Sequence, residues 1–181
     1  GGHLALRAAY RNGHLLAGVI ALSPGLKLRR RPPLGAVAKV WLWALLDPDR
    51  YVPVVAEPVM TTRNLTHLER ARQDETWVTT YTARFYLETL RSLRKAWREA
   101  RGIRIPVLIL HGGADQLVCP EASRRFSRRI GHPDVEFRLL EGLGHNLVAE
   151  PEMPEIARQI AQWIDRRIPP EDAGATRAQA H

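Results

Sequence analysis

Cysteine is almost missing from this chain: Cys119 is the only one in 181 residues. No disulfide can form within these residues, which sets aside the small, disulfide-stapled secreted class and leaves a reducing, cytoplasmic setting as the expectation. Lysine is nearly as scarce, with 3 against 24 arginines. No apolar run approaches the roughly 18 residues that a membrane-crossing helix needs. There is no internal repeat and no low-complexity block. No pair among the 7 histidines has helix or hairpin ligand spacing backed by carboxylates, so no metal site is expected.

What is abundant is positive charge, a formal +8. A nucleic-acid partner is not expected from it, because the arginines are spread along the chain and only Arg29-Arg30-Arg31 forms a compact run. No zinc spacing, helix-turn-helix pattern or interleaving of basic and aromatic residues accompanies them. Between Arg84 and Arg101, Tyr86, Leu90, Leu93 and Trp97 make an apolar stripe at helical spacing. Arg84, Arg91, Lys95 and Arg98 point away from it, so the basic face reads as the solvated one.

Along the chain, Gly2 to Arg11 reads as a helix stopped by Asn12-Gly13, and Leu15 to Leu22 as a buried strand ending at Ser23-Pro24-Gly25. From Leu26 to Arg104 helical segments alternate with proline breaks at Arg31-Pro32-Pro33, Asp47-Pro48-Asp49, Val52-Pro53 and Glu57-Pro58. One of these segments, Leu34 to Leu46, is apolar almost all round. It is too short to span a bilayer, so it is either buried, the favoured reading, or laid on an apolar substrate or membrane surface. A strand follows at Pro106 to His111, a helix at Pro120 to Ile130, a strand at Val135 to Glu141 and a last helix at Pro154 to Ile168. That helix has proline near its start and Ile156, Ile160, Trp163 and Ile164 on one side. Residues 169–181 are small and polar and are expected to be a disordered tail.

Two stretches carry chemistry. Val107-Leu108-Ile109-Leu110-His111-Gly112-Gly113-Ala114-Asp115 is a buried-strand pattern closed by a glycine turn that presents an acid. Glu141-Gly142-Leu143-Gly144-His145 repeats the arrangement one helix and one strand later, with an imidazole. Both ionisable groups would lie beyond the carboxyl ends of strands, where open α/β sheets place their chemistry.

These stretches resemble the acid and histidine segments of the α/β-hydrolase superfamily, in particular its monoacylglycerol lipase, lysophospholipase and serine aminopeptidase-like group. The opening Gly1-Gly2-His3-Leu4-Ala5-Leu6 resembles the end of that family's G-x-S-x-G elbow and the helix after it. The resemblance implies the C-terminal part of an α/β-hydrolase fold, a parallel sheet flanked by helices with a helical cap insertion. Residues 1–25 would be core, 26–104 the cap, 105–168 the core carrying acid and histidine, and 169–181 the tail. The nucleophilic serine would precede Gly1 by two positions, outside these residues, so the chain alone is expected to be inactive.

The resemblance further implies hydrolysis of carboxylic esters, with monoacylglycerol- or lysophospholipid-like molecules as the substrate class, no cofactor, and transient membrane-surface contact through the cap. Peptidase, thioesterase or haloperoxidase chemistry, or a fragment without catalysis, are the alternatives. His145 would be the general base and Asp115 its orienting acid. His111 is expected to be structural, as part of the family's H-G turn. Ser23 follows a strand but lacks the elbow's glycines and a helix start, and Cys119 has no paired histidine, so neither is taken as the nucleophile. The other five histidines belong to no constellation.

Overall fold

The computed structural model describes residues 1–53 and 60–168. In chain order the elements are α1 (Gly2–Asn12), β1 (Val19–Leu22), α2 (Leu34–Leu46), β2 (Tyr51–Pro53), α3 (Leu65–Gln73), β3 (Thr80–Thr82), α4 (Ala83–Glu99), β4 (Val107–Gly112), α5 (Pro120–Ser127), β5 (Val135–Leu140) and α6 (Met153–Asp165). β1, β4 and β5 form a parallel sheet in that order, Val19 facing Val107 and Val107 facing Val135 across the ladders. β4 is central, and all six of its residues are buried.

Successive side chains of a strand leave its two faces, and β4 uses this to feed two cores. Val107 and Ile109 join Leu6, Ala9, Ala96 and Phe126 on one side. Leu108 and Leu110 join Leu147, Ile156 and Trp163 on the other. A strand covered on both faces is the reason its sequence reads as an unbroken apolar run. α1 is tied to α4 by a salt bridge from Arg7 Nε to Glu99, 2.9 Å.

Several expectations need correction. β1 begins at Val19 rather than Leu15, because Gly13 does not reverse the chain. Its φ of −56° continues the helix as a 3-10 turn over Gly13–Leu15, and Leu15 is left 74% exposed. α2 forms over the expected residues but none of them is buried; Leu34, Leu42, Leu45 and Leu46 face solvent. An all-apolar sequence has no polar side to orient it, so periodicity could not tell burial from exposure. Val52-Pro53 is no break: both residues lie in β2, which pairs antiparallel with β3 in a two-stranded ribbon, where proline's missing N–H is tolerated at an edge. The buried line of α4 runs through Ala83, Leu87 and Ala96, while Leu90 is exposed. Alanines let α4 pack closely on its neighbours, α1 among them, and Arg84, Arg91, Lys95 and Arg98 lie on the exposed side as expected. Glu57-Pro58 and the tail 169–181 lie outside the described residues.

Candidate active site

β4 ends in Gly112, and its continuation is hooked onto the neighbouring strand. Gly113 N–H donates to Leu140 O at 2.8 Å, and Ala114 N–H to Leu143 O at 2.9 Å. These bonds bring the turn after β4 against the turn after β5. Only glycine fits at 112: a Cβ there would lie 2.0 Å from Gly144 O and 2.5 Å from Leu143 O. The close crossing places the two expected site residues side by side at the carboxyl ends of neighbouring parallel strands. His145 Nδ1 is 2.7 Å from Asp115 Oδ2.

Asp115 is fully buried, and both of its oxygens are occupied. Oδ1 accepts the backbone N–H groups of Leu117 at 2.8 Å and Val118 at 2.9 Å. Oδ2 accepts from His145 and also from His111 Nε2 at 3.1 Å. Burial pushes the carboxyl up, but the hydrogen bonds from His111, His145 and the Val118 amide outweigh it and hold the group well below the ordinary carboxylate range.

An ionised carboxylate only accepts, so both imidazoles must donate to it. His111 therefore carries its proton on Nε2, leaving Nδ1 to accept from Ser123 Oγ at 2.9 Å. Both His111 and Ser123 are fully buried. His145 carries its proton on Nδ1, and its side chain is 29% exposed. Its Nε2 lone pair is thus free to take a proton from a group outside. Asp115 holds His145 in the tautomer that such a transfer requires.

A second clasp holds the histidine turn from the other side. Glu150, almost fully buried, accepts Gly144 N–H at 3.0 Å, Arg63 N–H at 3.3 Å and Arg63 Nε–H at 3.2 Å. Asn146 N–H donates to Thr61 O at 2.7 Å, and Asn64 Nδ2 to Ala149 O at 2.9 Å. The segment Thr61–Asn64 is thereby tied to both flanks of His145, to Asn146 directly and to Gly144 through Glu150.

Ser23 is at the end of β1, 4% exposed, with a left-handed φ of 39°. Its Oγ has no hydrogen-bond partner among the described residues, and it bonds to neither histidine of the site. Cys119 is a free thiol just before α5. Sequence reasoning singled out Asp115 and His145, which the structure pairs, saw in His111 only a turn residue, and missed Ser123 and the Glu150 clasp. The clasp joins residues 87 apart in the chain, and no local pattern announces such a contact.

No helix among the described residues is long and apolar enough to cross a membrane. The putative monoglyceride lipase of Schizosaccharomyces pombe is 28% identical over 184 residues, covering 95% of this chain and 47% of that protein. The phospholipase YtpA of Bacillus subtilis is 24% identical over 156 residues, covering 84% of this chain and 60% of that protein. The chain thus spans about half the length of these curated relatives. The crystal structure of the monoacylglycerol lipase of Paleococcus ferrophilus superposes with a TM-score of 0.85 at 26% identity, over 93% of this chain and 66% of that one. The family described as serine aminopeptidase, S33, matches residues 1–152. With five-sixths of its length inside that match and its sheet superposing on a solved member of the same fold, the chain belongs to the serine aminopeptidase S33 family of α/β-hydrolases.

Proposed function

We propose that this chain is the acid-and-base half of a serine hydrolase acting on lipid-like carboxylic esters. The observation that carries the reading is the 2.7 Å bond from His145 Nδ1 to a buried, ionised Asp115, which leaves Nε2 as the base. In this reading the nucleophile is the elbow serine that the resemblance of Gly1-Gly2 to the family's motif implies two residues before Gly1. The start of the chain supports that position: Gly2 packs so closely on the Ser23-Pro24-Gly25 turn that a Cβ would lie 2.8 Å from Pro24 Cα, the tight approach that a strand-to-helix elbow demands.

In the reaction His145 Nε2 takes the serine proton as the hydroxyl oxygen attacks the ester carbonyl carbon. It returns that proton to the departing alcohol, leaving an acyl-serine, and then activates a water that releases the acid. Asp115 keeps its negative charge throughout and stabilises the imidazolium.

The lipid preference rests on two supports. The relatives above are named as monoglyceride lipases and a phospholipase. The exposed apolar side of α2, including Trp41, Leu42 and Leu45, offers a greasy surface within the proposed cap, residues 26–104, and suits transient contact with a membrane surface. The free thiol fits a cytoplasmic site.

Labelling with a fluorophosphonate, on protein that includes the residues preceding Gly1, tests the reading. The label should map to the serine two positions before Gly1 and be lost in His145→Ala. Labelling at Ser23, or at no serine, would overturn it. A monoacylglycerol should be cleaved far faster than an aminoacyl p-nitroanilide; the reverse order would make the protein a peptidase.

A further inference from the structure

At the end of the sheet opposite Asp115 and His145, arginines gather around an open hollow of about 830 Å³. Arg101 and Arg104 come from the segment leading into β4. Arg125, Arg128 and Arg129 come from the last turn of α5 and the residues after it, ahead of β5. Both segments precede strands whose other ends carry the candidate active site. The 6-residue length of β4 therefore separates the two places by about 20 Å.

No carboxylate lines the hollow. The neighbouring acids are engaged elsewhere: Glu99 with Arg7 at 2.9 Å, Glu121 with Arg124 at 3.5 Å, Asp134 with Arg167, and Glu136 with Arg138 at 2.5 Å. Among the described residues, none of the five hollow arginines has an ion-pair partner. The carbonyl end of a helix attracts a cation or two. Three arginines at the end of α5, met by two more from another segment, exceed what one helix terminus explains.

The hollow is also held in shape. A Cβ at Gly131 would lie 2.0 Å from Arg101 O and 3.0 Å from Arg104 Nη1, so only glycine lets the two arginine-bearing segments meet. Arg104 Nη1 donates to Gly131 O at 2.9 Å across that crossing. Trp97 forms one wall, fixed by its Nε1–H bond to Leu26 O at 3.2 Å and by edge-on packing against Phe126, ring centroids 5.3 Å apart.

We propose that this hollow binds a soluble anion bearing several phosphate groups, of about the size of a nucleoside triphosphate, at a site separate from the ester-hydrolysing centre. Guanidinium forks match phosphate oxygens in pairs and stay charged at every physiological pH. The concave shape favours a small ligand over a long duplex. Trp97 gives the non-phosphate part of such a ligand an apolar wall.

Calorimetric titration of the protein with inorganic tripolyphosphate tests the site, at fixed ionic strength. One saturable equivalent should bind, and Arg125→Ala with Arg129→Ala should weaken it by about tenfold or more, as expected when charge-assisted bonds are removed. Arg70→Ala with Arg72→Ala removes the same charge from the exposed side of α3 and should leave binding within about twofold. Equal weakening by both pairs, or binding that never saturates, would mean a merely basic surface and overturn the proposal. So would binding to phosphatidylglycerol vesicles or to single-stranded DNA without binding to tripolyphosphate. All of these substitutions are of exposed side chains, and circular dichroism on each variant shows that the fold is kept.

Discussion

Asp115 is asked to do two things, and its surroundings explain how one carboxylate manages both. Its Oδ1 is consumed by two backbone amides that fix the turn, and its Oδ2 is shared by His111 and His145. Asp115→Asn replaces an acceptor with an amide that can turn its NH2 toward His145, which favours the wrong imidazole tautomer. Ester hydrolysis should fall by about 10³ to 10⁴, with the fold retained. Because folding lowers the Asp115 pKa, its ionisation stabilises the native state above the ordinary carboxylate range, and that contribution is lost as pH falls toward the lowered value. Melting curves should therefore show the gap between wild type and Asp115→Asn closing as pH drops from 5 toward 2. A gap that widened in acid would reverse the sign. Glu150→Ala strands a buried amide and should cost about 2 kcal/mol or more in denaturant unfolding. Glu150→Gln keeps an acceptor for Gly144 N–H and should recover most of that loss. Asp115 and His145 were legible in the sequence because glycine-flanked turns follow apolar runs. His111 and Ser123 were not, because their partnership appears only when α5 lies against β4.

Among the elements, α2 and β4 are both strongly apolar and have opposite fates. β4 is covered on both faces, whereas α2 packs along α4 and leaves its leucines in solvent. Replacing leucines should then cost much in β4 and little in α2. Leu108→Ala should cost about 2 to 5 kcal/mol, as large-to-small changes in a filled core do. Leu42→Ser with Leu45→Ser should change stability by less than about 1 kcal/mol, as surface changes do. It should nevertheless lower the ratio of long-chain to acetate ester hydrolysis, because only a long acyl chain would reach that side of the proposed cap. Thermal melts and a p-nitrophenyl ester chain-length series read the two effects separately; an unchanged ratio would remove α2 from substrate recognition. The parallel strands and α6 were readable from their patterns. The three-residue strands β2 and β3 were not, since a ribbon that short has no period to read and holds a proline.

At the scale of the molecule, the sheet joins two chemically different ends. Its carboxyl ends carry a buried carboxylate hydrogen-bonded to a half-buried histidine, clasped to Thr61–Asn64 through Glu150. Its amino ends carry guanidinium groups that have no ion-pair partner among the described residues. Net charge announced only that the protein is basic; the fold concentrates part of that charge in one hollow and leaves the rest dispersed. His145 is the residue on which the proposed chemistry turns, since in that chemistry it links Asp115 to the nucleophile. The most direct measurement is kcat/KM for a p-nitrophenyl ester, on protein that includes the residues preceding Gly1, with His145→Ala beside the unaltered chain. Loss of the general base should lower the value at least about a thousandfold, with an unchanged circular dichroism spectrum. A His145→Ala protein within about tenfold of the unaltered one would contradict the assignment of His145 as the base.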